Sequence, residues 1–370
     1  MNIAHFIYDH IRNPWLGGGG ARRSHEINKR LVAAGHRVYV ICGGFPRAED
    51  CVEDGIHYFF CGHRARYSTS RIQYSLQCRS IFVPLCSKYS VDIVVDDTSA
   101  FSISMPWRVW NGPRIGIVHH VVGHHMMQKF MLLGHFFRWW EKFNLRHYKF
   151  LTVVSKGTES DVKALSPKSL CRLVANGIDD LAFAPSHEKR DSKILLYLGR
   201  IEIFNKGLDD LLKSFELACN AGSTLELHIA GGGKDEELLK KQIDELSIRN
   251  RIHWHGRVSE EEKYSLLHRA AFLCMPSRYE GWGIVAIEAA ACGCPVLARD
   301  IPGLSEAVLD QQTGTLFAAT DVHWHRLLLD PAWWDHFADQ SALIEFAQRF
   351  TWESATEAFF NFLEEVKDEA

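Results

Sequence analysis

The stretch Ser277-Arg278-Tyr279-Glu280-Gly281-Trp282-Gly283-Ile284-Val285-Ala286-Ile287-Glu288-Ala289 decides how the rest of the chain is read. An apolar run ends at Met275 and Pro276, two glycines follow, and an apolar helix opens at Ile284. That order places the amides around Gly281, Gly283 and Ile284 at a helix N-terminus, where they can approach an anion. Glu280 precedes the helix. Glu288 falls eight positions later, about two turns along and on or near the same side. An unpaired carboxylate inside an Ile-Val-Ala-Ile-Ala-Ala-Ala helix would be costly, so Glu288 is expected to have a partner or a ligand. Two carboxylates so spaced can accept hydrogen bonds from two groups of hydroxyls, for example a sugar and a ribose.

Around this stretch, strands alternate with helices. Toward the N-terminus, Lys193–Gly199, Leu225–Ala230 and Ile252–His255 read as strands, and Leu208–Cys219 and Asp235–Leu246 as helices. The same rhythm occupies the first half, with strands at Ile3–Tyr8, Arg37–Cys42, Asp92–Val95, Arg114–Val118 and Leu151–Val154, and a helix at Arg22–Ala34. It implies parallel sheets covered by helices on both faces. A turn at Asn176-Gly177-Ile178-Asp179 and a polar stretch from Pro185 to Ser192 separate the halves. The 370 residues suit two domains better than one core. The expected organisation is therefore two Rossmann-like α/β domains, 1–185 and 186–351, facing each other across a cleft. The C-terminal part, about 332–366, is rich in Trp and Phe at helical spacing, and the final helix, 352–370, is expected to return to the first domain.

Two further places suit a phosphate. Arg200 and Lys206 follow the strand ending at Gly199, at the carboxyl edge of a parallel sheet, where ligands of such sheets bind. Their charges can neutralise a diphosphate leaving group. Gly17–Gly20, including Gly18 and Gly19, lie after the first strand and before a helix; the run is neither GxGxxG nor a P-loop, and alone it implies no nucleotide.

Composition bounds the alternatives. Apolar residues make up 46% and charged residues 24%, as in a globular protein. The formal net charge of -3 argues against nucleic acid as a partner. The ten cysteines show no paired spacing, which suits free thiols in a reducing compartment. Ile3-Ala4-His5-Phe6-Ile7 reads as a first strand rather than a secretory signal, and no run reaches the roughly 18 apolar residues that span a bilayer. The expected location is cytoplasmic, including the cytosolic face of a membrane.

In order along nearly the whole chain, these residues resemble retaining GT-B glycosyltransferases, glycosyltransferase family 4. Glu280–Glu288 with Ala289, Gly293, Pro295 and Val296 resembles the family's E-x7-E motif. Gly199-Arg200 and Lys206-Gly207 resemble its diphosphate-binding pair, and Asn176-Gly177-Ile178-Asp179 its interdomain turn. Gly17–Gly20 with Leu31 and Gly35-His36-Arg37-Val38 resemble its N-terminal loop and helix, and Gly314 with Leu316 a late element. The resemblance implies transfer of a sugar from a UDP- or GDP-linked donor to a saccharide or lipid-linked saccharide, in glycan, polysaccharide or glycolipid synthesis, with no cofactor and no metal. It implies that Arg200 and Lys206 hold the diphosphate, Glu288 the ribose and Glu280 the sugar hydroxyls. The family's sugar-proximal histidine corresponds to His119, with His120 as the alternative. A metal set among His119, His120, His124 and His125 lacks both HExxH spacing and a nearby acid.

Two rival readings follow from the same residues. A glycoside hydrolase or phosphorylase would use Glu280 and Glu288 as an acid/base pair. A non-catalytic nucleotide-sugar-binding subunit would keep the binding residues without turnover. Residues 129–150 interleave aromatics (Phe130, Phe136, Phe137, Trp139, Trp140, Phe143, Phe150) with Lys129, Arg138, Lys142, Arg146 and Lys149. As a hypothesis, this helix rests on an anionic membrane surface.

Overall fold

Strands apolar on both faces, such as Ile3-Ala4 and Val38–Ile41, are the kind a doubly covered parallel sheet requires. The computed structural model describes the chain except residues 16–17, 63–64, 99–109, 122–130, 331, 338 and 370, and except the side chains of residues 68, 79, 131–134, 137 and 332. It divides into two compact units: Met1–Gly177 with Trp352–Ala370, and Ile178–Thr351. The seam lies at Gly177/Ile178, ahead of the polar stretch at Pro185–Ser192. The reason is local: the Ile178 amide bonds to the Phe350 carbonyl at 2.9 Å, and the turn Asp180–Phe183 buries Ala182.

In the first unit the strands are β1 (Asn2–Phe6), β2 (Arg37–Gly43), β3 (Cys51–Glu53), β4 (Ile56–Cys61), β5 (Ile93–Thr98), β6 (Arg114–Val118), β7 (Phe150–Val153) and β8 (Leu170–Leu173). They form one sheet in the order β3-β4-β2-β1-β5-β6-β7-β8. All pairs are parallel except β3–β4. That pair closes through Asp54-Gly55, both at positive φ (49° and 77°), the backbone of a two-residue hairpin turn. The C-terminal helix Trp352–Asp368 packs Phe359, Phe362, Leu363 and Val366 into the same core as Ile27, Leu31 and Ile115.

The helix after β1 begins at Gly19, with Gly18 as its N-cap, three residues earlier than the apolar pattern suggests. Gly19 and Gly20 thus form its first turn rather than a loop; Gly17 lies outside the described residues.

In the second unit the strands are β9 (Asp191–Leu198), β10 (Glu226–Ala230), β11 (Ile252–Gly256), β12 (Ala270–Met275), β13 (Val296–Asp300) and β14 (Gly314–Ala318), all parallel, in the order β11-β10-β9-β12-β13-β14. Sheet order reverses at β9, between β10 and β12. Such a switch point opens a crevice at the carboxyl ends of the strands. Arg200 and Lys206 follow β9, and Glu280 follows β12. All ten cysteines are free thiols, six of them buried.

Candidate active site

The second unit joins the two segments that follow β9 and β12. The Arg278 and Tyr279 amides both bond to the Asn205 carbonyl, at 3.0 and 3.4 Å. The Arg278 guanidinium reaches the Phe204 carbonyl at 2.9 Å and grips both oxygens of Asp209 at 2.6 and 3.0 Å. Arg299, buried, donates to the Pro276 carbonyl at 3.1 Å, to the Ala319 carbonyl at 2.8 Å and to Asp210. Gly207 takes a left-handed conformation (φ 66°), and a Cβ there would sit 2.2 Å from the Pro276 carbonyl oxygen. Only glycine lets the segments approach this closely.

The approach places Lys206 Nζ 2.5 Å from Glu280 Oε2. Both side chains are largely covered, at 15% and 18% exposure. Ser277 Oγ lies 3.4 Å from the same oxygen. Arg200 is 66% exposed and pairs loosely with Glu202 at 3.2 Å, while its carbonyl accepts from the buried Tyr197 hydroxyl at 2.8 Å. Burial alone would raise the Glu202 carboxyl. A bond from Asn205 and the charges of Arg200, Lys234 and Lys206 outweigh it and lower the pKa. Tyr197, pushed up mainly by burial, also feels Glu280, Arg200 and Glu202. Arg200, Lys206 and Glu280 therefore share one electrostatic neighbourhood at the switch point.

Glu288 has different company. It is buried in the helix Ile284–Ala291, with Oε1 2.8 Å from Lys263 Nζ and 3.4 Å from the Tyr264 hydroxyl. Burial by itself would lower the Lys263 ammonium; Glu288 and Glu260 more than offset that, and its pKa is raised. The partner expected for a carboxylate in this helix is thus a lysine of the helix Glu260–Arg269. Sequence spacing did not reveal it.

In the first unit, His119 follows β6, and its Nε2 lies 3.0 Å from Asp97 Oδ2, near the end of β5. Register pairs Asp97 with Ile117, so the carboxylate and the imidazole meet at one carboxyl edge. A Cβ on Gly20 would make ordinary contact, 3.4 Å, with His119 Nε2, so the imidazole stands over the first turn of the helix Gly19–Ala33. Burial would raise Asp97; His119, His5 and Arg23 outweigh it, and the pKa is lowered. His120 is exposed, whereas His119 is partly covered. Asp97 was missed from sequence, although a carboxylate at the carboxyl end of an apolar run was the available signal. At the start of the same helix, the Gly18 amide points to Asp9 Oδ2 at 3.4 Å. Burial raises Asp9 to about 6.

His124, His125, Lys129 and Phe130 lie outside the described residues. On the helix Met131–Leu145, Phe136 and Trp139 are exposed. Of the basic residues in 129–150, Arg146 bonds to the Leu165 carbonyl at 3.1 Å and Lys149 to Glu369 at 2.9 Å. Among the described residues no helix is long and apolar enough to cross a membrane.

Comparison with known proteins adds the following. Residues 17–180 match the model of Glycosyltransferase Family 4, and residues 179–327 that of Glycosyl transferases group 1. The chain is 27% identical over 335 residues to a glycogen synthase of Mycobacterium tuberculosis, covering 84% of this chain and 81% of that protein. It matches the structure of sucrose-phosphate synthase from Thermosynechococcus elongatus with a TM-score of 0.82 at 20% identity, over 100% of both chains. It matches Anabaena HepE, solved in complex with UDP and glucose, with a TM-score of 0.76 at 16% identity, over 99% of this chain and 100% of that one.

Proposed function

From the premise that the chain belongs to glycosyltransferase family 4 and has the GT-B fold, we propose that it is a retaining, metal-independent enzyme whose second unit binds a nucleoside-diphosphate sugar through Arg200, Lys206 and Glu280. Membership makes it a glycosyltransferase that uses a nucleotide-linked donor. The observation that carries the residue assignment is the Lys206–Glu280 pair, 2.5 Å apart, at the switch point of the sheet with Arg200 beside it.

The chemistry follows from charge. Without donor, the Lys206 ammonium is neutralised by Glu280. An arriving diphosphate competes for that ammonium, which frees the Glu280 carboxylate to accept hydrogen bonds from sugar hydroxyls. Arg200, exposed and only loosely paired, is available for bidentate contact with phosphate oxygens. As the bond from the anomeric carbon to the phosphate oxygen breaks, negative charge grows on the diphosphate. Fixed cations and the amides of Gly281, Gly283 and Ile284 at the helix start stabilise it without reorganising. In the front-face route, the acceptor oxygen bonds to the anomeric carbon on the side the phosphate leaves, and its proton passes to a phosphate oxygen. Glu288 takes the ribose, with Lys263 fixing its carboxylate. His119 contacts the sugar, its imidazole oriented by Asp97. Gly18 and Gly19 contribute backbone to the ligand side of the first unit.

The hydrolase reading fits the geometry less well. It needs two carboxyl groups flanking one scissile bond, whereas Glu280 and Glu288 are held by different lysines, Lys206 and Lys263. The exposed pair Phe136 and Trp139 supports peripheral membrane contact through residues 129–150, on the way to a lipid-linked acceptor. Failure to float with anionic vesicles at low salt would remove that part. For the central assignment, Lys206→Ala and Glu280→Ala should each cut turnover about 10²- to 10³-fold with the fold intact, as removal of a fixed charge-stabilising group does. Wild-type turnover in both variants would contradict it.

A further inference from the structure

We propose that the second unit carries a binding site for a divalent transition metal of the zinc class at the β10–β11 edge of its sheet, with Glu226, His228 and His253 as the protein ligands. The parallel register sets His228 directly against His253, and their ring centroids are 4.6 Å apart. Glu226 stands two residues before His228 on β10 and so shares its face. Glu226 Oε2 lies 3.0 Å from His253 Nε2. One ligand atom from each of the three lies within 4.8 Å of the other two, so small side-chain rotations bring all three onto one ion.

The surroundings suit a metal centre. His255, two residues beyond His253, places its Nε2 3.0 Å from His228 Nδ1. A hydrogen bond to the second ring nitrogen is what fixes the tautomer and orientation of a ligating histidine. Glu262 acts on His255 from the following helix and adds negative charge. Arg269 acts on both His228 and His255 and opposes a cation; its own guanidinium is turned to Glu188 at 3.7 Å. The Glu226 and His253 side chains are 46% and 44% exposed, which leaves an entry path and room for a water as fourth ligand.

The site is remote from sugar transfer. Glu226 lies five residues before Gly231, about 16 Å along the strand from the carboxyl edge. Its role is structural: among the described residues β11 is an edge strand, paired only with β10, and a metal shared with β10 pins it.

The test uses the full chain, freed of any histidine tag and stripped with EDTA, titrated with ZnCl2 by calorimetry and by thermal denaturation. Wild type should bind one saturable equivalent and melt at a higher temperature with Zn²⁺, and should not respond to Mg²⁺. His253→Ala, at a half-exposed position, should fold normally and lose at least tenfold in Zn²⁺ affinity, with Glu226→Gln also weakened. The absence of saturable binding to wild type, or undiminished binding to His253→Ala, would overturn the proposal. Both readouts are independent of the transferase reading.

Discussion

Replacing Lys263 with Met should destabilise the second unit far more than an ordinary surface change. Lys263 and Glu288 are 11% and 9% exposed and 2.8 Å apart. Removing one partner leaves a carboxylate buried in an apolar helix, which costs about 3–5 kcal/mol. The second contact of Lys263, to Glu260 at 2.7 Å, is 44% exposed on the acid and adds only about 0.2–1 kcal/mol. The assay is amide hydrogen exchange of peptides from β12 and the helix Ile284–Ala291, which reports local opening of this unit. Protection should fall about 140- to 3,700-fold, at 1.4 kcal/mol per tenfold. The double variant Lys263→Met/Glu288→Leu should recover most of the loss, because no buried charge remains. A fall under fivefold in the single variant, or no recovery in the double, would refute the reasoning. The same pair separates scaffold from ligand contact: Glu288→Gln should raise the donor KM if this carboxylate also meets the ribose, and leave it unchanged if Glu288 only braces the helix.

Two more outcomes are expected. His5 and His10 are both held near pKa 4, mainly by burial, against about 6.5 when unfolded. Between those values the unfolded chain binds more protons, so stability is fully present above pH 6.5 and is lost as pH falls toward 4, by up to about 1.4 kcal/mol per pH unit for each histidine. Melting temperatures from pH 7 to 4.5 should show this decline, flatter in His5→Asn; parallel curves would refute it. Asp97→Asn should lower turnover at least tenfold, since a hydrogen bond to a charged group contributes about 1.5–3 kcal/mol. Turnover equal to wild type would deny Asp97 any part in orienting His119.

The features legible in the sequence were those that local order encodes. The alternation of strands and helices and the position of Lys206 and Glu280 at strand ends needed only neighbouring residues. The partners were hidden because they arrive from other elements: Lys263 reaches Glu288 from the preceding helix, Asp97 reaches His119 across two strands, and Arg278 and Asp209 join segments some seventy residues apart. The metal cluster was hidden likewise, since only strand register brings His253 against His228. The helix Tyr67–Tyr89 escaped for a different reason. It buries Tyr74, Cys78, Phe82 and Leu85, yet Ile72, Leu76 and Val83 face outward, and Pro84, a helix-breaking residue by sequence, lies within it, so no single apolar stripe marks it. Gly19 and Gly20 read as a loop because glycine is a poor helix former; their place in a first turn beside His119 is set by tertiary contact.

The most direct test of the proposed donor site is a thermal-shift titration of wild type, Lys206→Ala and Arg200→Ala with UDP and GDP. The 66% exposure of Arg200 makes its variant a safe one for folding. At least one of the two nucleotides should raise the melting temperature of wild type, and both variants should lose most of that rise. No shift of wild type by either nucleotide, or an undiminished rise in both variants, would contradict a diphosphate held by these two cations.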